Sequence, residues 1–366
     1  MSGSPADGTP GRAPVRVLAS PTVDEIRAAA ARLEGVALRT PLVRLQSEAL
    51  PGPVWLKLEN LQPIGSFKLR GAGNAMALAD QGTLREGVVT TSAGNMAQGV
   101  AWCARRLGVP CRVLVPDHAP AAKLDAIHRL GGETVPIPFD EWWRRLVEHD
   151  PGDLPGLFIH PVADPAVIAG NGTIGLEIAA ELPDVETVIV PYGGGGLSCG
   201  IAAALRETAP SARVVAAEVE TAAPLAAALA AGEPVAVDYR PSFVDGIGGK
   251  SVLLEMWPLA STLLAGSEVV TLAAVAAAIR LLVERHHVVA EGAGAASVAA
   301  ALAGAAGPGP TVCVVSGGNL DPARLAAILT DRWGEVSPGK HGAAVRRRVE
   351  GGERGDTPGA TGPGCG

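Results

Sequence analysis

Three features of the sequence predict an α/β fold of parallel strands and crossover helices. From Val54 onward, short β-rich runs alternate with segments of helical period, which is the pattern of βαβ units. At 366 residues the chain is long enough for about two domains of ~100–200 residues each. Its composition, 48% apolar and 18% charged, is that of a globular protein able to fill such cores.

The elements follow in order. VWLKLE (54–59) reads as a strand, and a helix opens near Lys68. GVVTT (87–91) leads into a helix over 95–107, CRVLVP (111–116) into one over 120–130, and ETVPI (133–137) is followed by LFIHP (157–161). A helix over 165–181 precedes TVIVPY (187–192), and one over 197–208 separates that strand from RVVAAEV (213–219). Helical periods at 272–286 and 293–305, the strand TVCVVS (311–316) and a helix over 321–330 complete the core. No internal repeat is present. Residues 1–20 and 337–366 are rich in Gly, Pro and charge without periodicity, and both are expected to be disordered.

A net charge of -7 without a basic block, and only 3% aromatic residues, argue against a nucleic-acid partner. The polar, proline-bearing start carries no secretory pattern, so a cytoplasmic location is expected. The longest uncharged stretch, 292–320, is alanine-rich and broken by Gly-Pro-Gly-Pro at 307–310; it reads as a buried helix, a turn and a strand, with no membrane partner. Cys103, Cys111, Cys199 and Cys313 lie in apolar segments without metal-binding spacing and are expected as core thiols, with Cys365 in the tail.

Only five of the 30 basic residues are lysines: Lys57, Lys68, Lys123, Lys250 and Lys340. Lys68 stands in Gly65-Ser66-Phe67-Lys68-Leu69-Arg70-Gly71, between small residues at the head of a helix, where a solvated surface charge is the simpler reading. Two loops follow a strand and open a helix: Thr91-Ser92-Ala93-Gly94-Asn95-Met96 and Gly193-Gly194-Gly195-Gly196-Leu197-Ser198. Four glycines there expose backbone N–H groups at the positive end of a helix with no Cβ to exclude an anion, a cradle for phosphate. A turn that only brings helix and strand close is the plainer alternative. Neither the GxGxxG spacing nor a P-loop is present, so a small phosphate ester fits better than a nucleotide. A rare lysine and a phosphate cradle on an α/β scaffold together suggest pyridoxal phosphate held as a Schiff base.

Ser66-Phe67-Lys68-Leu69-Arg70-Gly71-Ala72, Ser92-Ala93-Gly94-Asn95, Gly193-Gly194-Gly195-Gly196-Leu197, Asp245-Gly246 and Ser316-Gly317-Gly318-Asn319 together resemble the ordered motifs of the fold type II pyridoxal-phosphate enzymes. Within that group, residues 20–335 resemble the threonine/serine dehydratase and serine racemase branch. The resemblance implies a tryptophan synthase β-like fold of two domains, each an open, mostly parallel sheet flanked by helices. Residues 21–86 and 163–336 would form the large, cofactor-binding domain and 87–162 the small one. It implies a homodimer acting on a small amino acid by β-elimination of threonine or serine to a 2-oxo acid and ammonia. Dehydration of a bulkier substrate such as an aryl-serine, racemisation, β-replacement, γ-chemistry of the threonine-synthase kind and a silent cofactor-holding sensor are the alternatives.

The same resemblance assigns roles. Lys68 carries the cofactor and moves the α-proton; Phe67, Asn95, Gly193, Gly194, Gly195, Gly196, Leu197, Gly246 and Ser316 hold the cofactor, with Ser316 at its ring nitrogen. Ser92, Ala93, Gly94, Asn95 and Met96 face the substrate. Asn95 could equally cap a helix starting at residue 96. Three departures stand out. Ala93 replaces the racemases' second acid/base serine, and Met96 replaces a histidine of most dehydratases, which points to added carbon on the substrate's β-position. Pro224 replaces the aspartate of a divalent-cation site, leaving Glu218 and Ala222 as its candidates. Glu284 and the helix after Glu291 match the segment on the substrate side of the ring; His286 and His287 are expected to face solvent. No amino-acid-sensing domain is expected after the core.

Overall fold

The computed structural model describes residues 16–335. Its first helix, α1 (Val23–Arg32), is set by a capping box in which the Glu25 N–H donates to Thr22 Oγ1 and the Thr22 N–H to Glu25 Oε2. The chain continues through β1 (Leu42–Arg44), β2 (Val54–Lys57), α2 (Lys68–Leu78) and α3 (Gln81–Glu86). Then come β3 (Val88–Thr91), α4 (Asn95–Leu107), β4 (Cys111–Pro116), α5 (Ala121–Arg129), β5 (Glu133–Ile137), α6 (Phe139–Glu148) and β6 (Leu157–Phe158). The second half runs α7 (Pro165–Glu181), β7 (Thr187–Pro191), α8 (Gly196–Thr208), β8 (Arg213–Val219), α9 (Pro224–Ala231), α10 (Trp257–Leu263) and β9 (Gly266–Val270). It closes with α11 (Leu272–His286), α12 (Gly292–Ala300), β10 (Thr311–Val314) and α13 (Pro322–Leu329).

These strands make two sheets. One is six-stranded, in the order β1-β2-β10-β7-β8-β9, and all its pairs are parallel except β1 with β2. The other, β5-β4-β3-β6, is wholly parallel. Two-residue alternation sorts the larger sheet's side chains onto two faces, each with its own core. Val188, Val190, Val312 and Val314 enter one, and Ile189, Cys313 and Val315 enter the other. Burial on both faces explains why β7 and β10 read as continuous apolar runs. A third core joins α2 and α4 to the smaller sheet through Leu69, Met76, Val100 and Val113.

All eight expected strands are present, but pairing in 157–161 is confined to Leu157–Phe158. β1, β9, α1, α3, α6, α9 and α10 were not among the expected elements: β1 is only three residues long, β9 is a half-exposed edge, α6 follows directly on Pro138, and α3, α9 and α10 have at most eight residues. The helix expected over 293–305 ends at Ala300 and passes into a wider π turn, stopped where Gly304 takes φ 118. Residues 16–20 run irregularly but not free, since Leu18 is buried in the main core. The rest of the expected tails, 1–15 and 337–366 with Cys365, lies outside the described residues. The other four cysteines are buried free thiols, as expected. No helix among the described residues is long and apolar enough to cross a membrane.

Candidate active site

The carboxyl ends of β3, β7 and β10 open onto one cavity of about 370 Å³, in the crevice where open α/β sheets bind ligands. Every residue singled out from the motifs as cofactor- or substrate-facing lines it: Phe67, Lys68, Ser92, Ala93, Gly94, Asn95, Met96, Gly193, Gly194, Gly195, Gly196, Leu197, Gly246 and Ser316.

Lys68 opens α2, and its Nζ donates to the Pro161 carbonyl at 2.8 Å and lies 5.2 Å from the Phe67 ring centre. Desolvation lowers its pKa to about 8, against the opposing pull of the Glu291 carboxylate. The segment before Lys68 is pinned to the chain after β10. The Phe67 N–H donates to the Ser316 carbonyl at 3.1 Å, the Gly318 N–H to the Gly65 carbonyl at 2.9 Å, and Asn319 Nδ2 to the Ile64 carbonyl at 2.9 Å. Lysine and Ser316 are thus fixed by one backbone pairing, although 248 positions separate them in sequence.

The glycine loop joins β7 to α8. Gly195 takes φ +96, a left-handed conformation that glycine adopts without a Cβ penalty. A Cβ on Gly194 would lie 2.5 Å from Val162 Cγ1, and one on Gly196 would lie 2.9 Å from the Val162 carbonyl oxygen. Close approach, not only turn geometry, therefore requires glycine. The loop and the start of α8 line the cavity, and a rare lysine of lowered pKa faces it. The residues present fit pyridoxal phosphate.

Asn95 does not cap a helix starting at residue 96; α4 begins at Asn95 itself with Gly94 as its cap. Its amide is held in the cavity instead, donating to Glu291 Oε1 at 2.8 Å and accepting from Asn319 Nδ2 at 2.8 Å. The Ser92 hydroxyl accepts the Gly94 N–H at 3.2 Å, which shapes the loop before α4. Met96 borders the cavity but is 1% exposed and packs into the third core, so it contributes little surface to a substrate.

Glu291 and Asp245, not Glu284, are the acidic side chains that line this cavity. Glu284 is exposed on α11, outside the cavity. Glu291 precedes α12 and is 8% exposed; burial, with the negative charge of Asp245, pushes its pKa up to about 7. The sequence signal was a lone carboxylate before the apolar run Gly292-Ala293-Gly294-Ala295-Ala296. Lys123, Asp245, Phe139 and Trp142 also line the cavity and were not singled out as site residues; Lys123 Nζ reaches Asp245 Oδ2 across it at 2.7 Å. His286 is half-buried and its Nε2 accepts the Gln46 N–H, whereas His287 is exposed.

Glu218 and Ala222 do not present an open cation site. Both Glu218 oxygens are occupied at the head of α9: Oε1 accepts the Leu225 N–H, and Oε2 accepts the Ala226 N–H and the Ser267 hydroxyl, at 2.8, 2.8 and 2.6 Å. The carboxylate is a helix cap, and the Ala222 N–H closes a turn onto the Val219 carbonyl.

The chain is similar to known proteins in sequence and in fold. The chain is 41% identical to the L-threonine ammonia-lyase of Geobacter sulfurreducens over 316 residues, 85% of this chain and 78% of that one. It is 36% identical to the catabolic L-threonine dehydratase TdcB of Escherichia coli K12, over 84% of this chain and 95% of that one. Among solved structures, maize serine racemase superposes with a TM-score of 0.76 at 30% identity, covering 87% of this chain and 99% of that one. The processed threonine deaminase isoform 2 of Solanum lycopersicum gives 0.75 at 31%, covering 88% and 98%. Residues 33–317, which contain Lys68, the glycine loop and Ser316, match the family described as pyridoxal-phosphate dependent enzyme, and the chain belongs to that family.

Proposed function

We propose that this chain is an ammonia-lyase that uses pyridoxal phosphate to eliminate water from a β-hydroxy amino acid, threonine or serine, giving a 2-oxo acid and ammonia. The observation that carries it is Lys68, a lysine of lowered pKa facing both the glycine loop and the Ser92–Asn95 loop. Relatives named for threonine ammonia-lyase and threonine dehydratase activity support it. When bound, the cofactor supplies an electron-withdrawing ring that weakens bonds at the α-carbon.

The chain's residues do the rest. With a pKa of about 8, the Lys68 amine is uncharged in a useful fraction near neutrality and can accept the α-proton. N–H groups of Gly193–Leu197 at the head of α8 would hold the phosphate. Ser316, which lines the cavity, would offer the cofactor's ring nitrogen a neutral hydroxyl, which would not enforce protonation as an aspartate would. Phe67, Asn95 and Gly246, which line the cavity, would hold the cofactor, Phe67 by packing and Asn95 by its amide, and the Ser92 hydroxyl with its loop's N–H groups would hold the substrate carboxylate. Ala93 has no proton to relay to the opposite face of the α-carbon, so racemisation is expected to be much slower than elimination. A homodimer in the cytoplasm belongs to the same proposal.

Incubation with threonine and no second substrate tests the reading. Equal release of 2-oxo acid and ammonia is expected, lost in Lys68→Ala together with the cofactor's visible absorption and kept in Lys250→Ala. Inversion of serine at a rate comparable to elimination, or cofactor retained covalently in Lys68→Ala, would overturn it.

A further inference from the structure

The α6 helix spends scarce residues on the cavity. The whole chain has four Phe, six Trp and two Tyr, yet Phe139, Trp142 and Trp143 fall within five positions of this one helix. No α6 residue is buried, although its apolar and polar faces are sharply separated. Its polar face is satisfied within the helix and the turn after it: Arg145 pairs with Glu141, and Arg144 with Glu148 and Asp150. The apolar stripe of Phe139, Trp142 and Leu146, at i, i+3 and i+7, turns to the cavity that holds Lys68.

The stripe is built as a rigid aromatic wall. Trp142 Nε1 donates to the Leu114 carbonyl at 3.0 Å, which fixes the indole plane. The Phe139 ring stacks on it at 5.8 Å between centres and 26° between planes. The cavity's charged groups, Lys68, Lys123, Asp245 and Glu291, all come from other elements, so this side offers no partner for a polar substituent. A threonine methyl covers little of such a wall, whereas an aryl ring can lie against it. Ring-on-ring contact adds roughly two- to tenfold in binding beyond the area covered.

We propose that the α6 wall seats the substrate's β-substituent, and that the preferred substrates are β-hydroxy amino acids with an aryl group on the β-carbon, phenylserine being the simplest. The proposal rests on the lyase reading above. The Cα–H and Cβ–O bonds break, water leaves, and the released enamine tautomerises to an imine that water hydrolyses to a 2-oxo acid and ammonia, with no oxidant or second substrate.

The test compares kcat/KM for phenylserine and threonine in the cofactor-loaded enzyme, and separately the binding of L-phenylalanine and L-alanine, which carry no leaving group, by tryptophan fluorescence. Phenylserine is expected to be preferred by about tenfold or more, and phenylalanine to bind tighter than alanine. Phe139→Ala and Trp142→Ala should each lower the phenylserine-to-threonine ratio by about tenfold, while Trp143→Ala, exposed and outside the cavity, keeps it. Phe139 is itself 41% exposed, so its truncation leaves the core intact. Threonine preferred by the wild type, or a ratio unmoved in Phe139→Ala, overturns the aryl proposal and leaves the lyase reading standing. Phenylalanine bound no tighter than alanine overturns it whatever the rates. No 2-oxo acid from either substrate overturns both.

Discussion

Glu291 is a carboxylic acid held where its charged form is disfavoured. Burial and the Asp245 charge raise its pKa from 4.5 to about 7, while the Asn95 amide, Lys123 and Lys68 pull the other way. The folded protein therefore binds a proton that the unfolded chain has lost between pH 4.5 and about 7. Stability should fall as pH rises through that window, by an upper bound of ~3 kcal/mol. Glu291→Gln cannot lose that proton. In the cofactor-free protein, the stability of Glu291→Gln minus that of the wild type should grow from pH 5 to pH 8, as measured by urea unfolding. A difference that stays constant would mean that Glu291 is already ionised at pH 5.

Elements set the site's precision through what crowds them. The glycine loop is confined by Val162, so Gly194→Ala must displace either that side chain or the loop, an overpacking of ~1–3 kcal/mol. Cofactor affinity, read by absorbance titration, should fall by roughly fivefold to a hundredfold, whereas Gly94→Ala, where a Cβ meets nothing within 4 Å, should leave it nearly unchanged. The α2 helix that presents Lys68 is anchored by buried charge. Arg70 Nε and one terminal nitrogen each reach Glu59 at 2.8 Å, and its other terminal nitrogen reaches Glu177 at 2.6 Å. Burial raises the Glu59 pKa, but Arg70 and its hydrogen bonds outweigh that and hold it below 4.5. The stability Glu59 contributes is present above pH 4.5 and lost as pH falls through its lowered value. Removing one partner strands the other charge, so Glu59→Gln should cost ~3–5 kcal/mol in chemical denaturation at pH 7.

Across the whole molecule, the two sheets meet at the cavity and a few polar links join them. Asn95 reaches Glu291 and Asn319, Lys123 reaches Asp245, and His149 Nε2 meets Glu255 at 2.7 Å. The Lys123–Asp245 pair is 38% and 57% exposed, and such pairs contribute ~0.2–1 kcal/mol. Lys123→Met should therefore change KM by less than about fivefold with little effect on kcat. A larger loss, falling on kcat, would place Lys123 in contact with the substrate.

The parallel α/β layering was legible because two-residue and 3.6-residue periods are local. Val188 and Ile189 need only their own strand to face opposite cores. Lys68, the four glycines and Ser316 were legible for a related reason: backbone N–H exposure at a strand-to-helix turn, and a rare lysine at a helix start, are properties of a few neighbouring residues. Other features depend on distant segments. Asn95 and Glu291 hydrogen-bond across 196 positions, and Glu291's raised pKa exists only once other elements bury it. Glu218 matched a position in a cation site by its order in the chain, yet the folded chain brings the head of α9 and Ser267 onto both its oxygens. Met96 borders the cavity and is also packed into the third core, and α6 brings Phe139 and Trp142 to the same cavity. The sequence by itself determined the layers, the cofactor and which lysine stands at the head of α2, because short-range chemistry suffices for these. Only the tertiary structure decided that Glu291 and Asp245 share the cavity and that α6 borders it, because burial and contact between distant segments arise only when the chain is folded.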